Sequence, residues 1–405
     1  MNKFDDIINN AINNGSLGGA NLTILQSGKK VVHAHYGTDG EDAIYRLYSM
    51  TKIFTAVVAR KLIEKQQLSL TDQLSDYLPE YGNQLFFDED GHINHSDKPI
   101  TIEHLLNMTS GISYPSTGTY GKEKTKEHEE AIVALLKAGR TLSNRDIANS
   151  YGRVPRDFEP GEGWEYGANA DILGSVLEIV SGKDLETLYQ EELFEPLKMK
   201  DTHFFVPESE THRVSGVFTR DTKFELVVQH NRPLTKKPEN GYLTLPLHNN
   251  IDVVAPLYVA GGGSAYSTAD DYAVFGEMLR NNGRLDDVTI LSGETVKDMV
   301  TPSLTEKQMA FKNKDEVGVT VPGYNYSNLM RILTNPGQAK VLGVNGTIGE
   351  FGWDGAGGNF IVIGPSRELV AVFMMQDNSG PEPILRRALY KALMSEFKVI
   401  INGKL

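Results

Sequence analysis

The sequence contains no cysteine, which excludes structural disulfides, thiolate-ligated zinc, iron–sulfur clusters and a cysteine nucleophile. A covalent mechanism must therefore rest on Ser, Thr, Lys or a carboxylate. Nowhere do about 18 apolar residues follow one another, and Met1-Asn2-Lys3-Phe4-Asp5-Asp6 has no basic stretch running into an apolar one. A cytoplasmic protein without a membrane span is expected. Positive charge is in short supply, with 40 Lys and Arg against 53 Asp and Glu and a net charge of −13. No basic stripe interleaved with aromatics offsets this, which argues against nucleic acid as a partner.

At 405 residues, 40% of them hydrophobic, the chain exceeds the roughly 250–300 residues that one core holds. No repeat is visible. Near the start, Ala20 to Gln26 and Lys30 to Tyr36, joined by Ser27-Gly28-Lys29, read as a strand hairpin. Near the end, Asn359 to Ile363 and Leu369 to Gln376 form a similar pair turned at Gly364-Pro365-Ser366, and Pro381 to Phe397 has helical spacing. Between them, Ile102 to Asn107, Asn169 to Ser181 and Leu185 to Leu193 carry helical apolar spacing, with Gly182 placed as a C-terminal cap. This order predicts one α/β domain built from both termini, with a helical domain inserted. Residues 82–99, 114–126, 206–246 and 309–337 are polar and read as loops. The mixed-charge run Lys122 to Glu130 reads as a solvated helix face or loop.

Three clusters carry candidate chemistry. Tyr48-Ser49-Met50-Thr51-Lys52 opens the run Ile53 to Glu64, which is apolar on nearly every face and so marks a buried helix. Ser49 and Lys52, three residues apart, share one helix face, so the amine reaches the hydroxyl. The helix N-terminus also favours negative charge on an attacking oxygen. A Ser cap followed by Lys is common without catalysis. A lysine in the first turn of a buried helix, however, needs a partner or a task.

The second cluster runs from Pro160 to Asn169. Its Tyr166 holds a phenol that a neighbouring ammonium would convert into a general base, unless it simply packs with its hydroxyl on a carbonyl. The third, Phe351 to Asn359, is a glycine-rich strand entry where an exposed N–H would serve as an oxyanion donor. Both tryptophans, Trp164 and Trp353, fall in these two clusters, a hint of a shared aromatic-walled pocket. Position 360 is Phe, which excludes a G-x-G-x-x-G dinucleotide loop. No G-x-S-x-G elbow, phosphate-binding loop or H-E-x-x-H motif occurs. His33 and His35 share a strand face, and His92 and His95 flank a loop after Asp90-Gly91. Neither pair has a third ligand nearby in sequence, so no metal is expected.

In this order, Ser49-x-x-Lys52, Tyr166 and Trp353-x-Gly355 resemble the S-x-x-K, Y-x-N and K-T-G elements of the serine β-lactamase and penicillin-recognising superfamily. Leu105 to Ile112, Trp164 to Gly174, Leu193 to Phe204 and Gly261 to Asp271 extend the similarity over most of the chain. The tryptophan form of the third element looks most like the family VIII carboxylesterases. The resemblance implies a β-lactamase/transpeptidase-like α/β (α+β) fold, with an antiparallel sheet flanked by helices in residues 1–75 and 255–405. Residues 76–254 would form the inserted, mainly helical domain, with loops over the active site.

It also implies a Ser49 acyl-enzyme, with Lys52 and Tyr166 as general base and acid and the N–H groups of Ser49 and Ala356 as oxyanion hole. Tyr48, Tyr114, Asn169, Trp353 and Gly355 would contact a small-molecule ester, with no cofactor and no membrane or nucleic-acid partner. Ala168 and Trp353 replace the Asn and Lys that bind amide and carboxylate in amide-cleaving relatives. Asn169 offers a substitute for the first, and no cation is evident for the second. The alternatives are a β-lactamase, D-amino-acid amidase or peptidase, or acyltransferase on the same Ser49, and a catalytically silent binding protein on this scaffold.

Overall fold

Two hairpins from opposite ends of the chain meet in one sheet. The computed structural model describes residues 3–140, 142–220, 226–229, 260–312, 322–340, 346–377 and 383–400. The strands β1 (Gly19–Gln26), β2 (Lys29–Gly37), β3 (Tyr324–Ser327), β4 (Met330–Leu333), β5 (Phe351–Gly352), β6 (Phe360–Gly364) and β7 (Leu369–Met374) form an antiparallel sheet in the order β3-β4-β5-β6-β7-β1-β2. β1 pairs with β7 from Asn21↔Met374 to Gln26↔Leu369, which joins the two termini. The central strands β6 and β7 are buried along their whole length, so their sequences are continuous apolar runs. Edge strand β2 carries Lys29 and Lys30 and is largely exposed or half-buried, as suits a free edge.

Helices cover both faces. On one, α1 (Lys3–Asn13) packs with the C-terminal α7 (Pro383–Glu396), burying Phe4, Ile8, Leu22, Phe360, Phe373 and Leu389. On the other lies α6 (Ala269–Arg280) and, beyond it, α2 (Thr51–Glu64), in which every residue from Thr51 to Arg60 is buried. Phe54 anchors that layer, its ring 4.6 Å from Phe275, 4.9 Å from Phe194 and 5.1 Å from Tyr272. The middle of the chain supplies α3 (Ile102–Asn107), α4 (Tyr120–Lys137) and α5 (Asn169–Ser181). α5 ends at Gly182 with φ +68°, the left-handed cap expected from its sequence. Among the described residues no helix is long and apolar enough to cross a membrane. The expected domain boundary at 254/255 lies outside the described residues.

Several expectations are corrected. Residues 82–99 contain a hairpin, Gln84–Phe87 with Ile93–Ser96, rather than a plain loop. Residues 309–337 contain β3 and β4, turned at Asn328 and Leu329 with φ +46° and +61°. Two successive left-handed residues make the tight turn that suits strand twist, and a leucine there hides the signal. Leu185 to Leu193 breaks after Tyr189 into a wider turn over Gln190–Phe194.

The charged run Lys122 to Glu130 is helical in α4, but one stripe of that helix (Gly121, Thr125, Glu129, Ile132) is buried. Tyr151 donates its hydroxyl hydrogen bond to Glu129, and burial pushes that carboxyl up to about 7.

Two outcomes are expected. Phe54→Ala lowers unfolding free energy by about 3–5 kcal/mol, measured by urea titration. Glu129 in the native state holds a proton between pH 4.5 and 7 that the unfolded chain has released, so it makes stability fall as pH rises. Glu129→Gln removes that dependence. Relative to wild type the variant gains about 3 kcal/mol between pH 4.5 and 7.5, and a difference that does not change with pH overturns the assignment.

Candidate active site

The head of α2 is held from several directions. Leu47 N–H bonds Ala265 O (2.9 Å), Ala265 N–H bonds Thr51 Oγ1 (3.2 Å), and Tyr272 donates to Met50 O (2.7 Å). Ser49 lies in the tight turn Tyr48–Met50 that leads into the helix. Tyr48 itself has φ +48°, a conformation that costs a non-glycine residue about 1–3 kcal/mol and lifts Ser49 out at the turn.

Lys52 is fully buried, and its Nζ has three acceptors: Ser49 Oγ at 3.0 Å, Tyr114 Oη at 3.0 Å and Gly262 O at 2.8 Å. Three acceptors match the three protons of an ammonium. Tyr166 donates to Ser49 Oγ at 2.7 Å, and Trp353 Nε1 donates to Tyr166 Oη at 3.2 Å. Ser49 Oγ thus faces two groups chemically able to exchange its proton. Lys52 Nζ also lies 5.0 Å from the Tyr166 ring centre and 5.4 Å from that of Tyr114.

The countercharge comes from Asp171, in the first turn of α5. Its carboxylate accepts from Tyr114 Oη (3.2 Å) and from Gly262 N–H (2.8 Å). Lys52 therefore touches two groups that themselves donate to Asp171. Burial raises the Asp171 carboxyl above its ordinary value against the pull of Lys52, and burial with Asp171 raises the Tyr114 phenol. Asp171 was not among the residues expected from sequence. Its one signal was an acidic side chain at the head of an otherwise apolar helix, which needs a partner once buried.

Close backbone approach brings the loops in. A Cβ on Gly167 would stand 2.0 Å from Ile112 O, so only glycine lets the Tyr166 loop press against the segment carrying Tyr114. Likewise a Cβ on Gly355 would stand 2.5 Å from Leu47 O, which seats the glycine-rich turn beside the backbone leading into Ser49. Ala356, the next residue, is exposed. Asn359 fastens this turn, donating to Arg46 O (2.8 Å) and accepting from Met375 N–H (3.0 Å).

The two tryptophans do share one aromatic cluster. Trp353 lies 5.6 Å from Tyr166 and 5.2 Å from Tyr326, and Trp164 lies 5.4 Å from Tyr326 and 6.3 Å from Tyr166. Tyr326 escaped the sequence reading because it belongs to a strand read as loop.

Asn169 is fully buried, accepts from Ser110 Oγ (2.5 Å) and donates to Ile112 O (3.2 Å), so it braces the Tyr114 segment. The Tyr48 ring lies beside Gly357. His33 lies between Glu41 (3.3 Å) and Asp270 (3.2 Å). Asp88, Asp90 and His92 bring one ligand atom each within 4.8 Å of one another on an exposed loop.

A serine hydroxyl held between an amine and a phenol at the head of a buried helix is suited to forming a covalent acyl intermediate. Comparison with known proteins agrees with the fold. The family model "Beta-lactamase" matches residues 4–394. A Mycobacterium tuberculosis protein, "Protein Rv1367c", is 26% identical over 346 residues, spanning 83% of this chain and 78% of that one. "Esterase EstB" of Burkholderia gladioli is 27% identical over 373 residues, spanning 86% and 83%. The solved structure of "EstCE1, a hydrolase with promiscuous acyltransferase activity" superposes with a TM-score of 0.74 over 96% of this chain and 97% of that one, at 21% identity. With the family model covering nearly its whole length and the same fold in a solved relative, this chain belongs to the Beta-lactamase family, a family of serine hydrolases.

Proposed function

We propose that the protein hydrolyses carboxylic esters of modest size through a Ser49 acyl-enzyme. The observation that carries the reading is the pair of contacts on Ser49 Oγ, 3.0 Å to Lys52 Nζ and 2.7 Å to Tyr166 Oη. In the reactive form one member of the Lys52/Tyr166 pair has shed its proton, and Ser49 Oγ attacks the ester carbonyl as its own proton passes to that member. The N–H groups of Ser49 and Ala356 hold the oxyanion, and the same pair returns the proton to the departing alcohol. Water then takes the alcohol's place and attacks the acyl carbon as it gives one proton to the pair, and the pair returns that proton to Ser49 Oγ as the acid departs.

Trp353 and Ala168 stand where amide-cleaving relatives carry Lys and Asn, and Asn169 is committed to Ser110 and Ile112. Both facts support esters over lactams and peptides. An alcohol replacing water in the second step gives acyl transfer, a reading favoured by the activity named for EstCE1.

The test is turnover of p-nitrophenyl acetate, p-nitrophenyl butyrate and a chromogenic cephalosporin by wild type and Ser49→Ala, with intact-mass detection of acyl adducts. Ester cleavage that falls by several orders of magnitude in Ser49→Ala, with little lactam opening, is expected. Wild-type rates in that variant overturn the reading. Added short alcohols that yield new esters establish transfer. Tyr114→Phe removes one Lys52 acceptor and one Asp171 donor and is expected to lower kcat roughly 10- to 100-fold with circular dichroism unchanged. An unaltered kcat places Tyr114 outside the relay.

A further inference from the structure

The turn that bears Ala356 has little backbone pairing of its own. Strand β5 is two residues long, and beyond it the backbone bonds are few: Ile361 N–H on Trp353 O (3.1 Å), Gly355 N–H on Asn359 O (2.8 Å), Gly358 N–H on Gly355 O (3.0 Å) and Asp377 N–H on Gly357 O (3.0 Å), with the Asp354↔Phe360 bridge. Three of the five residues from Gly355 to Asn359 are glycine, so the position of this turn depends on its side-chain anchors.

On the face opposite the nucleophile one anchor is ionic. Strand alternation sends Trp353 toward Tyr166 and Asp354 the other way. There Asp354 Oδ2 meets Arg331 Nη1 at 2.6 Å and Arg386 Nη1 at 2.7 Å. Arg331 lies on β4 directly across from Gly352, and Arg386 comes from α7, the C-terminal helix on the far side of the sheet. Arg331 is buried and Asp354 half-buried, so water screens the triad poorly. The two guanidinium groups outweigh burial and hold the Asp354 carboxyl below its ordinary value, so the triad stays charged across the working range of an esterase.

We propose that Arg331 and Arg386, acting through Asp354, position the Trp353–Ala356 segment against Tyr166 and Ser49, making the C-terminal helix a determinant of turnover. This rests on the ester-hydrolase reading above. Asp354 is a positioning residue: its neighbours in sequence touch the reacting groups while its own carboxylate points away. Trp353 on one side and Ala356 two residues beyond on the other move together if the carboxylate is released.

The experiment uses the full chain with Asp354→Asn, Arg386→Gln and Arg386→Lys, and reads four quantities at 25 °C. These are kcat and KM on p-nitrophenyl butyrate, the rate at which a fluorophosphonate labels Ser49 by intact mass, and Trp353 emission in a Trp164→Phe background. The expected result for Asp354→Asn and Arg386→Gln is a kcat at least tenfold lower, KM within twofold, slower labelling and a shifted Trp353 emission, with Arg386→Lys recovering most of the rate. A merely structural clamp lowers the thermal midpoint and leaves kcat, labelling and emission of the folded enzyme as in wild type, and that outcome overturns the proposal. If Asp354→Asn does not fold, the Arg386→Gln and Arg386→Lys pair decides alone. If wild type labels at Ser49 yet cleaves no ester, the ester reading fails while slowed labelling still supports the clamp. If wild type neither labels nor cleaves, both fail.

Discussion

The site depends on one buried lysine. Lys52 sits in the first turn of a helix enclosed on all sides, where a side-chain nitrogen without hydrogen-bond partners is costly. It is kept in place by three acceptors and, one bond further on, by the Asp171 carboxylate, which reaches it through Tyr114 and through the backbone at Gly262. Ser49 is one of those three acceptors, so the same contacts that make the lysine tolerable in the core bring it to the Ser49 hydroxyl. In the proposed mechanism stability and chemistry are linked at the α2 head: the Lys52–Ser49 contact that helps satisfy the lysine also lies on the route along which a proton leaves Ser49.

The remaining architecture brings three separate chain segments to that lysine. Gly167 lets the Tyr166 loop close on the Ile112 segment, and Gly355 lets the third element close on Leu47, both at distances that a side chain would forbid. Asn169 and Asn359 then tie those approaches with amide hydrogen bonds to backbone. Asp354 and its two arginines support the last of the three from behind the sheet. A glycine-rich loop supplies close approach but little stiffness, and buried polar clamps supply the stiffness.

Much of this was legible in the sequence because it is local. The terminal hairpins, the buried α2, the Gly182 cap and the Ser49–Lys52 spacing all follow from periodicity and backbone preference within a dozen residues. The readings that failed have equally local causes. β3 and β4 are four residues each and turn on a leucine, so nothing marked them as strands, and Tyr326 went unnoticed with them. Glu129 sits in a run that alternates in charge, and only its phase on α4 shows that it faces Tyr151.

By itself the sequence determined the residue types available for chemistry: without cysteine the nucleophile had to be an alcohol, an amine or a carboxylate, and helical spacing placed Lys52 within reach of Ser49. The tertiary structure decided who else stands there. Tyr114, Tyr166, Asp171 and Trp353 converge on Ser49 and Lys52 from segments up to about three hundred residues apart, and Arg331 and Arg386 meet Asp354 from a neighbouring strand and a distant helix. Such meetings depend on sheet order and on how closely backbones can approach. Those are properties of the packed chain, where each contact is conditional on the others, and no spacing along the sequence encodes them.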